Sequence, residues 1–183
     1  MDIAAKPSLL SERSFEPLTH ADLQRLAELA IDDLRQLFTR RADTGELYRE
    51  RLLMLCLCQG GAEHFVRHRH GVKDLDVWAF FSEHPARPFP YRRRGVQDFG
   101  PSHLERHPGD DGFEGRRVDI IGRSIKCAPD HAETECVHEW LRGGNTESAR
   151  LIAQRPVVVI HPPDQRGRVL WDPTRGVSAG RAT

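Results

Sequence analysis

The sequence predicts a single small α/β domain in which helices pack on a mixed β-sheet. Three observations support this class. Apolar residues recur at helical spacing between Leu23 and Phe38, short apolar strand-like segments alternate with helical ones further along, and some neighbouring strands follow each other without a helix between them. The length of 183 residues suits one domain and is sufficient to bury a core.

The composition limits the classes of partner. The chain has 27 Lys and Arg residues and 27 Asp and Glu residues, so its formal net charge at pH 7 is zero and any basic site must be local. No stretch has transmembrane length and the first residues lack the apolar core of a signal peptide, so we expect a cytoplasmic protein without a membrane partner. Four cysteines form no CxxC pair, and we expect them to be reduced thiols.

The predicted domain covers residues 17–173, after a flexible N-terminal arm at 1–16 and before a flexible tail at 174–183. Its core is expected at 50–122. Helices and strands at 130–172 complete it.

The helix starts carry capping residues. Thr19 and Asp22 form the capping pattern of the first helix, residues 43–45 form a turn after it, and Asp130 is expected to cap a later helix. In chain order the other predicted elements are strand 52–58, helix 62–69, strand 74–81, strand 96–99, strand 117–122, helix 130–141, helix 146–154, strand 156–160 and strand 168–171.

Two carboxylates begin one of these strands. Asp74 and Asp76 stand at positions i and i+2, so their side chains point to the same face, while Leu75 and Val77 anchor the other face in the core. Two carboxylates held so close repel each other, and a shared divalent cation is the usual relief. A third carboxylate, Asp119, lies in another apolar strand. The three acids predict a site for one or two Mg²⁺ ions.

Two glycines precede this strand. Gly60 and Gly61 follow the apolar strand 52–58 and come before a predicted helix. Such a turn leaves backbone N–H groups free and lets a polyphosphate approach closely. A phosphate-binding turn beside metal-binding carboxylates is the apparatus of phosphoryl or nucleotidyl transfer. The alternative is an ordinary turn, with the acids on solvated strand ends.

This ordered set of motifs resembles the nucleotidyltransferase superfamily typified by DNA polymerase beta, over residues 50–122. The shared pattern is a Gly-Gly or Gly-Ser turn, an Asp-x-Asp strand and a third carboxylate on a following strand. The resemblance implies a nucleotidyltransferase-like mixed sheet. It also implies an enzyme that uses Mg²⁺, with two ions expected, to transfer a nucleoside monophosphate from a nucleoside triphosphate to an acceptor hydroxyl.

The resemblance assigns roles to single residues. Asp74 and Asp76 would hold both metal ions. Asp119 would bind the catalytic ion and help to activate the attacking hydroxyl. Gly60 and Gly61 would hold the triphosphate, such as ATP. The acceptor stays open among small molecules, proteins and RNA, because the fold does not choose among them.

Arginines lie near these motifs. Arg92, Arg93 and Arg94 form a basic cluster between the acid strands, and Arg93 is the predicted triphosphate ligand; a solvated loop is the alternative. Arg116 and Arg117 flank Asp119 closely and are expected to balance its charge.

Other interpretations remain open. A non-catalytic binding or regulatory protein of the same fold, for instance a toxin–antitoxin-like one, is the alternative function. A small nucleic-acid binder is a third, against which the neutral net charge speaks.

His64 and His68 have the i, i+4 spacing of a zinc pair, but no cysteine or acid lies at a suitable distance. An exposed polar helix face is favoured for them.

Overall fold

A computed structural model describes residues 12–90 and 94–175 of the chain. Within these residues the protein is one small α/β domain with a mixed six-stranded sheet and five α-helices. In chain order the elements are α1 (His20–Arg40), α2 (Ala42–Tyr48), β1 (Leu52–Cys58), α3 (Gln59–Arg67), β2 (Leu75–Ser82), β3 (Arg94–Asp98), β4 (Arg117–Ile125), α4 (Glu133–Gly143), α5 (Glu147–Ile152), β5 (Val157–His161) and β6 (Val169–Trp171). Of the helices described, none combines the length and apolarity that crossing a bilayer requires.

The strands lie in the order β3-β4-β2-β1-β5-β6. β2 and β4 pair in parallel, and the other described pairs are antiparallel. Because β2 and β4 run in the same direction, the chain must cross back between them. The described residues 83–90 and 94–116 belong to this connection, and β3 lies at the sheet edge. The starts of β2 and β4 and the end of β1 consequently lie at one end of the sheet.

Alternation along the strands divides the core into two layers. In β2, Leu75 and Val77 join the core under α1, whereas Trp78 and Phe80 join the core under α4 and α5. The helical residues that cover the second face are Cys136, Val137, Leu141 and Ile152. The sheet is thus the middle layer, and both of its faces are buried.

The first helix starts as predicted. Thr19 is the N-cap of α1, its hydroxyl accepts from the Asp22 N–H at 3.2 Å, and the Asp22 carboxylate accepts from the Thr19 N–H at 2.7 Å. The predicted cap at Asp130 is wrong. The chain there closes a turn, in which the His131 N–H donates to the Ala128 carbonyl at 3.0 Å, and α4 begins only at Glu133.

The turn predicted at 43–45 is wrong, because these residues belong to α2. Tyr48 anchors this short helix: its ring is fully buried and its hydroxyl donates to the Arg87 carbonyl at 2.6 Å. Gly45 lets α2 pack closely on α1, because a Cβ there would lie 2.9 Å from the Phe38 carbonyl oxygen. Tertiary packing outweighs the turn preference of the local residues.

The cysteines differ from the expectation of four thiols. Cys127 and Cys136 form a disulfide that joins the segment after β4 to α4, so the prediction is wrong for this pair. Cys56 and Cys58 are free and fully buried in β1. Burial raises the pKa of both thiols well above the usual range, so they are protonated small apolar residues of the core.

Residues 12–16, the described end of the predicted arm, lie against the domain; residues 1–11 of the arm and 176–183 of the tail are outside the described part of the chain. Ser14 and Val72 exchange two backbone hydrogen bonds, of 2.9 and 2.7 Å. The ordered domain therefore includes residues before position 17.

His64 helps to hold this segment. The ring is fully buried, so the prediction of an exposed histidine face is wrong for this residue, although His68 is exposed. Nδ1 accepts from the Gly71 N–H at 3.0 Å, and Nε2 therefore carries the proton and donates to the Glu16 carbonyl at 3.0 Å. Both nitrogens have structural partners.

Candidate functional site

The predicted acids meet at the end of the sheet where β2 and β4 begin. Asp76 and Asp119 are direct partners in the parallel pairing of these strands, and neighbouring strands are separated by about 4.8 Å. Both carboxylates point to the face that Trp78 and Ile121 share. Asp74, just before β2, lines the same cavity. The structure thus brings the three sequence-predicted acids together.

The cavity that holds these carboxylates, hereafter the acid cavity, has a volume of about 500 Å³. Basic side chains form much of its wall: Arg13, His70, Lys73, Arg94 and Arg155. An apolar side is formed by Trp78, Ile121 and Leu151. The cavity therefore combines oxygen donors for a hard cation, positive charges for an anion and an apolar surface.

Asp76 is the most perturbed carboxyl of the site. Its pKa is raised from the ordinary 3.8 to about 6, chiefly by burial and then by the negative charges of Asp74 and Asp119; Arg94 and Arg117 offset part of the rise. A carboxylate in this position gains from any positive charge that enters the cavity, whether proton or metal ion.

Asp119 is paired with arginines. Its Oδ1 lies 3.0 Å from Nε of Arg117, and its Oδ2 lies 3.9 Å from Nη1 of Arg94. No three His, Cys, Asp or Glu side chains of the described residues are grouped so as to hold one metal ion. The donor set itself, carboxylate oxygens only, is the type that Mg²⁺ prefers. Arg94 is half exposed, and its long contact with Asp119 is easily exchanged.

The two glycines face different surroundings. Helix α3 begins at Gln59, so both glycines lie inside its first turn rather than before it. A Cβ on Gly60 would lie 3.2 Å from His70 Cδ2 and 3.6 Å from Arg155 Nη1, so this residue borders the acid cavity. Gln59, with a φ of 57°, bends the chain into the helix and also lines the cavity.

Gly61 faces the core instead. A Cβ there would lie 3.0 Å from Leu57 Cδ1 and 3.3 Å from Leu75 Cδ2. The absence of a side chain lets α3 pack closely on β1 and β2. Of the predicted glycine pair, Gly60 is the residue next to the carboxylates.

Several basic residues of the cavity carried no sequence signal. Arg155 follows α5 and donates from Nη1 to Nε2 of His70 at 3.1 Å. Partial burial, followed by the charges of Arg155 and Arg13, lowers the pKa of His70, so its ring is a neutral acceptor. Arg13 comes from the segment predicted as a loose arm. All three lie in loops, where apolar periodicity gives no information.

Arg116 binds the main chain next to the acid motif. Its side chain is fully buried, and it donates to the carbonyls of Leu104 at 3.0 Å, Glu12 at 2.9 Å and Lys73 at 3.4 Å. Lys73 immediately precedes Asp74, so Arg116 holds the start of the acid motif. Of the two arginines expected to balance the charge of Asp119, Arg117 donates to its carboxylate. Arg116 donates to the three main-chain carbonyls instead.

The predicted triphosphate ligand Arg93 and its neighbour Arg92 lie outside the described residues. Arg94, the third member of that cluster, is the first residue of β3 and lines the acid cavity. The basic cluster therefore does reach the carboxylates through at least this residue.

Comparison with known proteins gave no match: no family model, no curated protein and no solved structure is similar to this chain. The chemistry of the site is therefore inferred from its residues. Three carboxylates, a glycine in the first turn of a helix and five basic side chains surround one cavity. This combination suits a phosphate-bearing ligand bound together with a divalent cation.

Proposed function

We propose that this protein is a Mg²⁺-dependent nucleotidyltransferase that transfers a nucleoside monophosphate from a nucleoside triphosphate to an acceptor hydroxyl. The observation that carries the proposal is the direct pairing of Asp76 with Asp119 on parallel strands, with Asp74 on the wall of the same cavity. Each of these carboxylates offers oxygen donors of the type that hard cations bind.

Asp74 and Asp76 would hold two Mg²⁺ ions, and Asp119 would share the ion nearest the acceptor. When bound, the metal ions supply charge neutralisation of the phosphates and activation of the hydroxyl. The raised pKa of Asp76 supports this assignment, because a cation would offset both the burial and the carboxylate repulsion that raise it. Arg94 would leave Asp119 for the phosphates as the carboxylate turns to the metal.

The triphosphate would lie between Gly60 and the basic wall. The first turn of α3 offers backbone N–H groups at the positive end of the helix dipole, and Gly60 admits close approach. Lys73 and Arg155 line the same cavity and provide charge for the phosphates. Neutral His70 leaves the charge of Arg155 uncompensated. Trp78 and Leu151 provide an apolar surface for the nucleoside.

One observation favours a second candidate, a non-catalytic binding protein of this architecture. Asp119 already pairs with Arg117 and Arg94, so the third acid is neutralised without a metal ion. In such a protein the basic wall would bind an anionic partner, and Mg²⁺ would have no effect on the binding.

Calorimetric titration with ATP, CTP, GTP and UTP, each with and without Mg²⁺, tests the proposal. We expect saturable binding of at least one nucleotide that requires Mg²⁺ and is lost in Asp76→Asn and Asp119→Asn. Asp32→Asn, which changes an exposed carboxylate outside the cavity, is the matched control. Pyrophosphate release with pooled acceptors then tests transfer. Nucleotide binding that is indifferent to Mg²⁺ and to both substitutions would favour the second candidate and reject catalysis.

A further inference from the structure

A second cavity, hereafter the basic cavity, lies between the C-terminal part of α1 and the edge strand β3. Its volume is about 620 Å³. Three guanidinium groups line it, those of Arg40, Arg41 and Arg94. Its lining includes one carboxylate, Asp33, whose Oδ1 accepts from Nε2 of Gln97 at 3.3 Å. The positive charges therefore outnumber the negative one.

Two arginines stand at the C-terminal end of α1: Arg40 is its last residue and Arg41 follows it. Arg40 and Arg41 are exposed, and within the described residues neither makes a hydrogen bond or an ion pair through its side chain. By contrast, Arg35 on the same helix pairs with Asp32 at 3.1 Å. Guanidinium groups gathered at one cavity attract an anion, and their planar fork matches phosphate oxygens.

The basic cavity shares one lining side chain with the candidate active site. Arg94 lines the basic cavity, the acid cavity and a third cavity of about 310 Å³ beside His107. Arg94 in turn lies 3.9 Å from Asp119, so a ligand that bound both Arg40 and Arg94 would end near this carboxylate.

We propose that the basic cavity binds the phosphate backbone of a single-stranded nucleic acid, which is the acceptor whose terminal hydroxyl enters the acid cavity. The backbone phosphates would lie at Arg40 and Arg41, and Arg94 would mark the boundary with the acid cavity. Val96, 42% exposed on β3, offers an apolar contact for a sugar or base, and the amides of Gln36 and Gln97 offer hydrogen bonds.

The acceptor role rests on the proposed nucleotidyl transfer, whereas strand binding does not. Because the chain has no net charge, its attraction to nucleic acid must come from local clusters of positive charge, and the affinity must fall as the salt concentration rises. This dependence gives the inference a measurable signature.

The test is fluorescence anisotropy with a short labelled single-stranded RNA, a DNA of the same sequence and polyaspartate as competitor, across a salt series. Arg40→Gln with Arg41→Gln removes two charges of the cavity, and Arg35→Gln is the matched control on the same helix. We expect the double variant to bind at least about tenfold more weakly and to lower the slope of log K against log salt by about 1.4, because single strands lose about 0.7 per contact. The control should bind like the wild type.

Two kinds of result overturn the inference. The first is wild-type binding that is absent, or equal to that of the double variant. The second is polyaspartate that competes as well as RNA, which would assign the cavity to an acidic peptide. The RNA and DNA arms show whether the strand is recognised through its 2′-hydroxyl.

Calorimetry with Mg²⁺ and nucleotides on the same proteins separates the two proposals. A double variant that loses RNA but retains Mg²⁺-dependent nucleotide binding supports the basic cavity. Wild-type protein that binds RNA but no nucleotide overturns the proposed transferase and the acceptor role, while it upholds strand binding at the cavity.

Discussion

Asp76 and Asp119 stand directly opposite each other on two parallel strands, and both carboxylates face one cavity. Burial and the neighbouring carboxylates raise the pKa of Asp76 to about 6. The folded protein therefore favours the protonated carboxyl more than the unfolded chain does, yet at neutral pH Asp76 is mostly ionised. Ionised Asp76 therefore destabilises the fold, and a cation in the cavity relieves this effect.

Replacing Asp76 with Asn should stabilise the protein at neutral pH. Because the pKa in the folded state lies above the ordinary 3.8, the penalty is absent below that value, grows as the pH rises towards 6 and is complete above it. We expect Asp76→Asn to raise the free energy of unfolding by about 2 kcal/mol above pH 7, and much less at pH 4. Denaturant unfolding at several pH values without divalent cations measures it.

Asp98 provides a control, because its pKa is shifted in the opposite direction to that of Asp76. Partial burial raises its pKa, but backbone N–H groups of Glu114, Gly100 and Gly115 donate to its carboxylate and the net direction is down. Ionised Asp98 therefore stabilises the folded state at neutral pH, and this stabilisation is lost as the pH falls through the pKa of the folded state. Asp98→Asn should therefore destabilise the protein at pH 7. Equal effects of the two variants at pH 7 would contradict this explanation.

Substitutions of Gly60 and Gly61 should have different effects, the first on nucleotide affinity and the second on the free energy of unfolding. Gly61→Val forces a branched side chain against Leu57 and Leu75, and we expect it to lower the free energy of unfolding by about 1–3 kcal/mol. Gly60→Ala adds a methyl group at the cavity and favours the helix, so the stability should be unchanged or slightly higher. Its affinity for Mg²⁺ with a triphosphate should fall.

Thermal unfolding and calorimetry on both glycine variants test this division. A Gly60→Ala protein that binds nucleotide as the wild type does would remove Gly60 from the proposed triphosphate site. A Gly61→Val protein of normal stability would show that α3 can move away from the sheet.

Arg67, the last residue of α3, joins the C-terminal end of this helix to Asp172. This side chain donates to Asp172 Oδ1 at 2.7 Å and Glu63 Oε2 at 3.0 Å, and only 15% of it is exposed. A double-mutant cycle of Arg67→Ala and Asp172→Ala should give a coupling of about 2 kcal/mol. The exposed pair Arg35 and Asp32, at 75% and 63% exposure, should give about 0.5 kcal/mol. Similar couplings for both pairs would mean that burial does not strengthen the first.

The buried guanidinium of Arg116 should control the N-terminal segment. Arg116→Met removes the donors to Glu12, Leu104 and Lys73, and we expect a loss of about 3 kcal/mol because buried carbonyls lose a charged partner. Amide exchange at Ser14 and Val72 should accelerate more than exchange in β1. Arg116→Lys keeps the charge and should recover only part of this protection. Uniform acceleration throughout the domain would show a general loss of stability instead.

Much of the fold could be predicted from the sequence, because β1, β2 and β4 are apolar segments in which side-chain alternation is visible. The three acids were identifiable for the same reason, since charges inside such segments are conspicuous. Helix α2 was not predicted: the local turn residues outweighed the signal of Tyr48, whose burial is a tertiary effect. Likewise, a buried arginine such as Arg116 cannot be distinguished from a surface arginine by its neighbours.

The basic wall was the least predictable part of the site. Arg13, His70 and Arg155 come from separate loops, and only the folded sheet brings them to one cavity. Loop residues have no hydrophobic period, so their position depends on contacts distant in sequence. Arg94 was recognised as part of a basic cluster, but its place as an edge-strand residue bordering three cavities depends on the sheet order.

The parallel pairing of β2 with β4 also determines when the site can exist during folding. The antiparallel contact of β1 and β2 joins segments close in sequence, whereas Asp119 reaches Asp76 only after the long crossover 83–116 has closed. Contacts of large sequence separation carry a greater entropic cost and form slowly. We therefore expect the acid cavity to form late in folding, so that a cation-dependent signal from it would report the completed native state rather than any partly folded chain.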